Sequence, residues 1–299
     1  MTGSNPPHSI LLATDLSHRC DRALDRAVQL AQQWNAKLLV VHAVEKEVDE
    51  SYSLHSTYDV PSWRRPADPV RAVRDRLYQD LLHEGHGLDI DIHVETGDPV
   101  EIIFRAAARA QCDLIITGVA RDETLGRLIL GSTVNHLARK TTVPLLIVRD
   151  RPFRPYDRLL VATDFSPSAR VALETCISFF PAASITLFHA YDVPFAGYLG
   201  RSEVEREFET YGVEASNKFL QEAGMVPHAA NRVVRLIEHG VPEGLLRDYS
   251  RKSQRHLTVV GSHGGGVVYN ALIGSTARKI IDAVPGDVLL VPDPGKRRT

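Results

Sequence analysis

Leu11-Leu12-Ala13-Thr14-Asp15-Leu16-Ser17 returns 149 positions later as Leu160-Val161-Ala162-Thr163-Asp164-Phe165-Ser166. Each copy is an apolar run that breaks into turn-forming polar residues, the pattern of a buried strand ending in a tight turn. Other short stretches recur around it. Val41-His42-Ala43 returns as Phe188-His189-Ala190, Gly97-Asp98-Pro99 as Gly240-Val241-Pro242, and Gly131-Ser132-Thr133 as Gly274-Ser275-Thr276. The separation drifts from 149 (Asp15 to Asp164) through 147 (His42 to His189) to 143 (Gly131 to Gly274), and the order never changes. Ordered recurrence of this kind marks a tandem duplication. The boundary falls near Asp150–Pro155, which gives a first unit over 1–150 and a second over 151–299.

Within each copy, short apolar runs alternate with stretches of helical period. In the first, strands are expected over Ser9–Ala13, Lys37–Ala43, Ile90–Glu95, Asp113–Gly118 and Leu145–Val148. Helices are expected through Leu24–Ala31 and over Asp68–Glu84, Val100–Ala110 and Ser132–Thr141. The second copy repeats the order from Leu159–Thr163 to Val288–Val291. Strands without polar alternation, separated by helices, predict an α/β fold with a parallel sheet covered on both faces. A strand order of 3-2-1-4-5 would make the first and fourth strands neighbours where the winding reverses, and ligands bind at the carboxyl ends of such strands.

Leu257-Thr258-Val259-Val260 runs into Gly261-Ser262-His263-Gly264, and Gly274-Ser275-Thr276 then opens a helical pattern carrying Ala277, Ile280, Ile281 and Val284. Strand, glycine-bearing loop and helix start present backbone N–H groups to a phosphate chain. The glycines allow close approach, and Ser275 or Thr276 is expected to cap the helix.

At this point the chain resembles the universal stress protein family in its tandem form. The carrying residues are Gly261, Gly264, Gly274 and Ser275, a G-x2-G-x9-G-[ST] spacing, together with the "ATDFS" and "FHA" strand ends. The resemblance implies two five-stranded Rossmann-like, adenine nucleotide alpha hydrolase-like sheets of order 3-2-1-4-5, arranged as an internal pseudo-dimer, with a further homodimer open. It implies that Ala162, Thr163, Asp164 and Ala190 line the adenosine side and that Val260 and Gly261 pass close to the sugar. His263, Gly264, Gly274, Ser275 and Thr276 would hold the phosphates of ATP, ADP or AMP, with Mg2+. The first copy departs from the pattern: Arg121 stands where the second glycine belongs, Ala120 replaces the histidine, and Asp122 and Glu123 follow. Its site is expected to be degenerate.

Plainer roles compete for several of these residues. Asp15 and Asp164 fit Asx-type turns, and His42 and His189, at matching points, fit a shared structural hydrogen bond. His55, His83, His86 and His93 match no standard zinc spacing, so no metal site is expected. Arg139-Lys140 and Arg278-Lys279 read as solvated faces.

Lys and Arg total 35 against 37 Asp and Glu, so no overall field draws the chain to nucleic acid or an anionic membrane. The 3 cysteines, widely spaced, fit reduced thiols, and the polar Met1–Ser9 carries no signal pattern; a cytoplasmic protein is expected. No P-loop lysine motif, G-x-G-x-x-G fingerprint or G-x-S-x-G elbow occurs, so fast catalysis has no motif behind it. The leading expectation is a nucleotide-binding stress or regulatory protein. The alternatives are slow ATP hydrolysis in the same crevice, or a scaffold recruiting a protein partner through the first unit and the loops Glu45–Asp68 and Tyr191–Ser202.

Overall fold

The computed structural model describes residues 6–17, 20–44, 68–84, 87–119, 130–191, 201–225, 233–253, 257–263 and 273–293. The first half runs β1 (Ser9–Ala13), α1 (Asp21–Trp34), β2 (Lys37–Val44), α2 (Pro69–Glu84), β3 (Ile90–Thr96), α3 (Pro99–Arg109), β4 (Leu114–Gly118), α4 (Ser132–Lys140) and β5 (Leu145–Val148). The second half repeats it as β6 (Arg158–Ala162), α5 (Pro167–Phe179), β7 (Ser184–Tyr191), α6 (Arg201–Glu222), β8 (Val233–His239), α7 (Pro242–Ser253), β9 (Leu257–Gly261), α8 (Ser275–Ala283) and β10 (Asp287–Val291).

Helix ends follow local chemistry. Asp98 caps α3 by accepting the Glu101 N–H at 2.9 Å, with Pro99 at the first helical position. Ser166 does the same for α5, accepting from Ala169 N–H at 3.2 Å ahead of Pro167. Asn35 closes α1 in the left-handed conformation at φ 52°.

Each half has the expected order, β3-β2-β1-β4-β5 and β8-β7-β6-β9-β10, with every internal pairing parallel. The two sheets do not remain separate. β5 and β10 pair antiparallel (Leu145 with Leu290, Leu146 with Leu289, Ile147 with Val288) and merge them into one ten-stranded sheet. One face is covered by α1, α2, α5 and α6, where Ile10, Leu12, Trp34, Leu77, Leu173 and Phe219 share a core. The other is covered by α3, α4, α7 and α8, with Leu11, Ile103, Leu137, Leu246 and Ile281. Leu11 and Leu12 pointing to opposite faces is the two-residue period of a strand buried on both sides. Among the described residues, no helix is long and apolar enough to cross a membrane.

The halves also meet through side chains. Trp34 of α1 packs its ring 5.6 Å from Phe179 and 5.5 Å from Phe180, across the seam. Below them Asp287, 1% exposed, accepts hydrogen bonds from the Arg149 N–H at 2.7 Å, the Asp150 N–H at 3.0 Å and the Tyr156 hydroxyl at 2.5 Å. Arg26 lies 3.6 Å from the same carboxylate with its guanidinium stacked 4.0 Å over the Tyr156 ring. Burial, and then the neighbouring Asp287 charge, hold the Tyr156 hydroxyl far above the ordinary phenol range, so it stays a donor.

Candidate nucleotide site

β6 and β9 are direct neighbours (Leu159 with Leu257, Leu160 with Thr258, Val161 with Val259), so the turn after one and the loop after the other open at the same end of the sheet. β6 ends at Ala162, two residues short of Asp164. One further ladder bond follows, from the Thr163 N–H to the Phe188 carbonyl at 2.9 Å, and the chain then turns. Thr163 Oγ1 accepts the Phe165 N–H at 2.9 Å and Asp164 Oδ1 accepts the Ser166 N–H at 3.1 Å. Those two bonds hold Phe165 at φ 62°, left-handed space that a bulky side chain enters only when its surroundings dictate it. The Phe165 ring lies against His189 at 4.4 Å, and His189 Nδ1 is 2.9 Å from the Thr163 carbonyl.

The first copy builds the same turn. Leu16 stands at φ 60°, its N–H given to Thr14 Oγ1 at 3.1 Å; Asp15 Oδ1 accepts from Ser17 N–H at 2.9 Å, and His42 Nδ1 sits 2.9 Å from the Thr14 carbonyl. The Asx-turn and shared-histidine expectations are therefore met in both halves. The turn is a property of the fold and does not by itself distinguish a binding half from a degenerate one.

The geometry gives Gly261 a packing role that the sequence did not suggest. A Cβ there would lie 2.8 Å from Ser168 Oγ and 3.0 Å from the Ser168 carbonyl carbon and oxygen, so the first turn of α5 crosses the end of β9 with no room for a side chain. This contact ties the Thr163–Ser166 turn to the β9 loop. Gly261→Ala is expected to cost about 1–3 kcal/mol, the usual range for overpacking. Ser168→Ala should recover little of it, because two of the three clashing atoms are backbone; urea denaturation of the single and double variants measures this.

Ser262 is 1% exposed and organises the loop. Its N–H donates to the Val291 carbonyl at 2.8 Å, its carbonyl accepts the Gly274 N–H at 2.7 Å, and its hydroxyl accepts the Asp293 N–H at 3.0 Å. The same hydroxyl lies 2.8 Å from His263 Nδ1. The serine hydroxyl thus meets both the Asp293 backbone and the His263 ring, and it fixes the ring's place beside the loop. The His263 N–H also reaches Ser168 Oγ at 3.4 Å.

The capping expectation is corrected. Gly274 (φ −58°, ψ 148°) occupies the cap position of α8, and neither Ser275 nor Thr276 supplies a side-chain cap. Both are already inside the helix, in its exposed first turn. The cause is the Gly274–Ser262 hydrogen bond, which fixes where the helix can start. Gly131 (φ −56°, ψ 158°) starts α4 in the same way.

Of the residues expected at the site, Ala162, Thr163, Asp164, Val260, Gly261, His263, Gly274, Ser275 and Thr276 fall at the ends of β6 and β9 and the start of α8, and Ala190 at the carboxyl end of β7. Gly264 lies outside the described residues, as do Ala120, Arg121, Asp122 and Glu123, His55, His86, and the loop segments 45–67 and 192–200. His93 pairs with Glu95 at 3.0 Å. The basic pairs on the surface carry partners, Arg278 with Asp282 at 2.9 Å and Lys279 with Glu243 at 3.7 Å, exposed contacts of small energetic weight. Sequence reading missed Ser168 and Ser262. Ser262 gave a faint signal, as the polar residue between two candidate ligands; Ser168 gave none, because its importance comes from a crossing of helix and strand.

The universal stress protein family model matches residues 7–149 and again 155–292, so the chain belongs to that family and is of its tandem type. A universal stress protein of Mycolicibacterium smegmatis is 24% identical over 312 aligned positions, covering 97% of this chain and 99% of that protein. The stress response protein NhaX of Bacillus subtilis is 29% identical over 161 positions, covering 47% of this chain and 96% of its own length, the size of one half. Among solved structures, a universal stress protein of Archaeoglobus fulgidus superposes with a TM-score of 0.64 at 20% identity, covering 97% of each chain. A protein of unknown function from Pseudomonas aeruginosa, PA1789, gives 0.68 at 22% identity over 97% of this chain and 94% of that one.

Proposed function

We propose that this universal stress protein is a cytoplasmic regulatory protein that binds one adenine nucleotide, ATP in the first instance, in its 151–299 half. The observation that carries the reading is the start of α8. Its first turn has no acidic residue and no side-chain cap, and Ser275 and Thr276 expose hydroxyls there. Uncapped helix amides beside hydroxyls, with no negative charge among them, suit a phosphate chain. Gly264 completes the glycine spacing in sequence.

Asp164, an exposed carboxylate in the turn joined to the β9 loop through Ser168, fits as an oxygen ligand for the Mg2+ that would accompany a triphosphate. Bound there, the ion would neutralise phosphate charge. Thr163 and Ala190 would border the nucleoside. In the 1–150 half, α4 starts as α8 does, so its degeneracy rests on the sequence of the loop, with Arg121 at the second glycine's position and two acidic residues, Asp122 and Glu123, following it.

Calorimetric titration of the full chain with Mg-ATP is expected to give one site per chain. No saturable heat up to millimolar nucleotide would remove the reading; two equivalent sites would remove the degeneracy of the first half.

A further inference from the structure

The nucleotide helix is held at its far end by the other half of the chain. Arg149 follows directly on β5, in the first half, and is 3% exposed. Its guanidinium donates to the Ile281 carbonyl of α8 at 2.6 Å, to the Val284 carbonyl, and to the Gly286 carbonyl at 3.3 Å. Ile281 belongs to the last turn of α8 and Val284 is its C-terminal cap residue. Carbonyls at a helix end lack partners within the helix, and a cation there also meets the negative end of the helix dipole. Asp287 fixes the Arg149 backbone through the 2.7 Å hydrogen bond from its N–H, and the Arg22 guanidinium holds the Arg149 carbonyl at 2.7 Å.

Among the described residues this clamp has no counterpart in the other direction. By the repeat, Arg149 corresponds to Pro292 and Asp287 to Pro144, and neither proline carries a polar side chain. Both helices close with the usual backbone bond, Thr141 N–H to the Leu137 carbonyl at 2.8 Å in α4 and Val284 N–H to the Ile280 carbonyl at 3.0 Å in α8. Beyond it α4 is served from its own half, by the Thr141 hydroxyl to the Val143 carbonyl at 2.5 Å. The clamped helix is the one whose half keeps the full glycine spacing.

We propose that Arg149 is an interdomain positioning residue for the nucleotide site, through which the first half sets the axial position of α8 and through which nucleotide binding and docking of the two halves are coupled. The inference rests on the nucleotide reading above. A nine-residue helix has little freedom to bend, so its N-terminal amides sit where the Gly274–Ser262 bond at one end and the Arg149 clamp at the other together put them. By reciprocity, a nucleotide on those amides stabilises the clamp.

The test is calorimetry with Mg-ATP on the full chain as wild type, Arg149→Met, Arg149→Lys and Trp34→Leu. Trp34 lies in the same seam, in the core on the face of the sheet opposite α8, so it reports general loosening. Arg149→Met should weaken binding by about tenfold or more, within the usual span of coupling between sites, with partial recovery in Arg149→Lys and no more than a twofold change in Trp34→Leu. A folded Arg149→Met that binds within twofold of wild type overturns the proposal, as does an equal loss in Trp34→Leu. If Arg149→Met does not fold, amide exchange in the wild type decides: nucleotide should slow the Arg149 and Asp150 amides that donate to Asp287, and unchanged rates overturn the coupling. Absence of binding in the wild type itself would instead sink the nucleotide reading, and this inference with it.

Discussion

Asp287→Ala should destabilise the chain by about 3–5 kcal/mol, the range expected when one partner of a buried ion pair is removed and the other stays. Three donors lose their acceptor at once: the Arg149 and Asp150 amides and the Tyr156 hydroxyl. The Arg26 guanidinium, 3.6 Å from the carboxylate and buried with it, loses its ion-pair partner, and the buried Arg149 loses the largest of the charges that favour its protonated form. The cluster has little slack, since Arg26 Nε and Arg149 Nε are already buried without hydrogen-bond partners. Burial pushes the Arg149 guanidinium pKa down, and the charge of Asp287 is the largest influence opposing it. Asp287→Asn keeps an acceptor for the two amides and should cost less than alanine. Urea denaturation followed by circular dichroism measures both, and an alanine variant within about 1 kcal/mol of wild type would show that the junction contributes little to joining the halves, against the 3–5 kcal/mol expected.

The contrast between this junction and the rest of the fold shows what a duplicated sequence can reveal. Strands such as Ser9–Ala13 and Leu145–Val148 were legible to the residue because both faces are covered and every position after the half-buried Ser9 must be apolar. The strand order came with the family resemblance, and that order is what lets the Thr-Asp turn and the glycine loop share one end. The seam was less visible because it is where the copies differ. Asp287 stands at the head of an apolar strand where its twin has Pro144, and Arg149 stands where its twin has Pro292. Departures from a repeat mark what is asymmetric in the structure, and the partners that Asp287 and Arg149 choose, more than 100 positions away, have no local signature.

At the site itself, local chemistry was only half legible. Residue type pointed to Ser275 or Thr276 as the helix cap, because hydroxyl residues cap better than glycine. Tertiary closure overrode that preference: the Gly274 N–H is committed to Ser262, a residue whose own N–H is anchored on β10. Gly261 was read as making room for a ligand, and it makes room for Ser168. A glycine in such a loop therefore answers to two demands, packing and ligand approach, and substitutions must separate them.

Gly274→Asp separates them. The cap position has extended-type dihedrals (φ −58°, ψ 148°) that an aspartate cap adopts readily, and aspartate there would accept a first-turn N–H that no side chain now caps. Helix α8 should be as stable as in the wild type or more so, since a negative charge at a helix N-terminus is favourable by about 0.3–1 kcal/mol. The same carboxylate would occupy the place of the phosphates. Like charges about 4 Å apart at an effective dielectric of about 20 repel by about 4 kcal/mol, so Mg-ATP affinity should fall by at least about a hundredfold, a conservative fraction of that repulsion. The expected pairing is thus an unchanged or raised melting temperature with binding lost. A variant that melts early and binds weakly would assign Gly274 to the fold alone. One that keeps both stability and affinity would move the phosphates away from α8, and the proposed site with them.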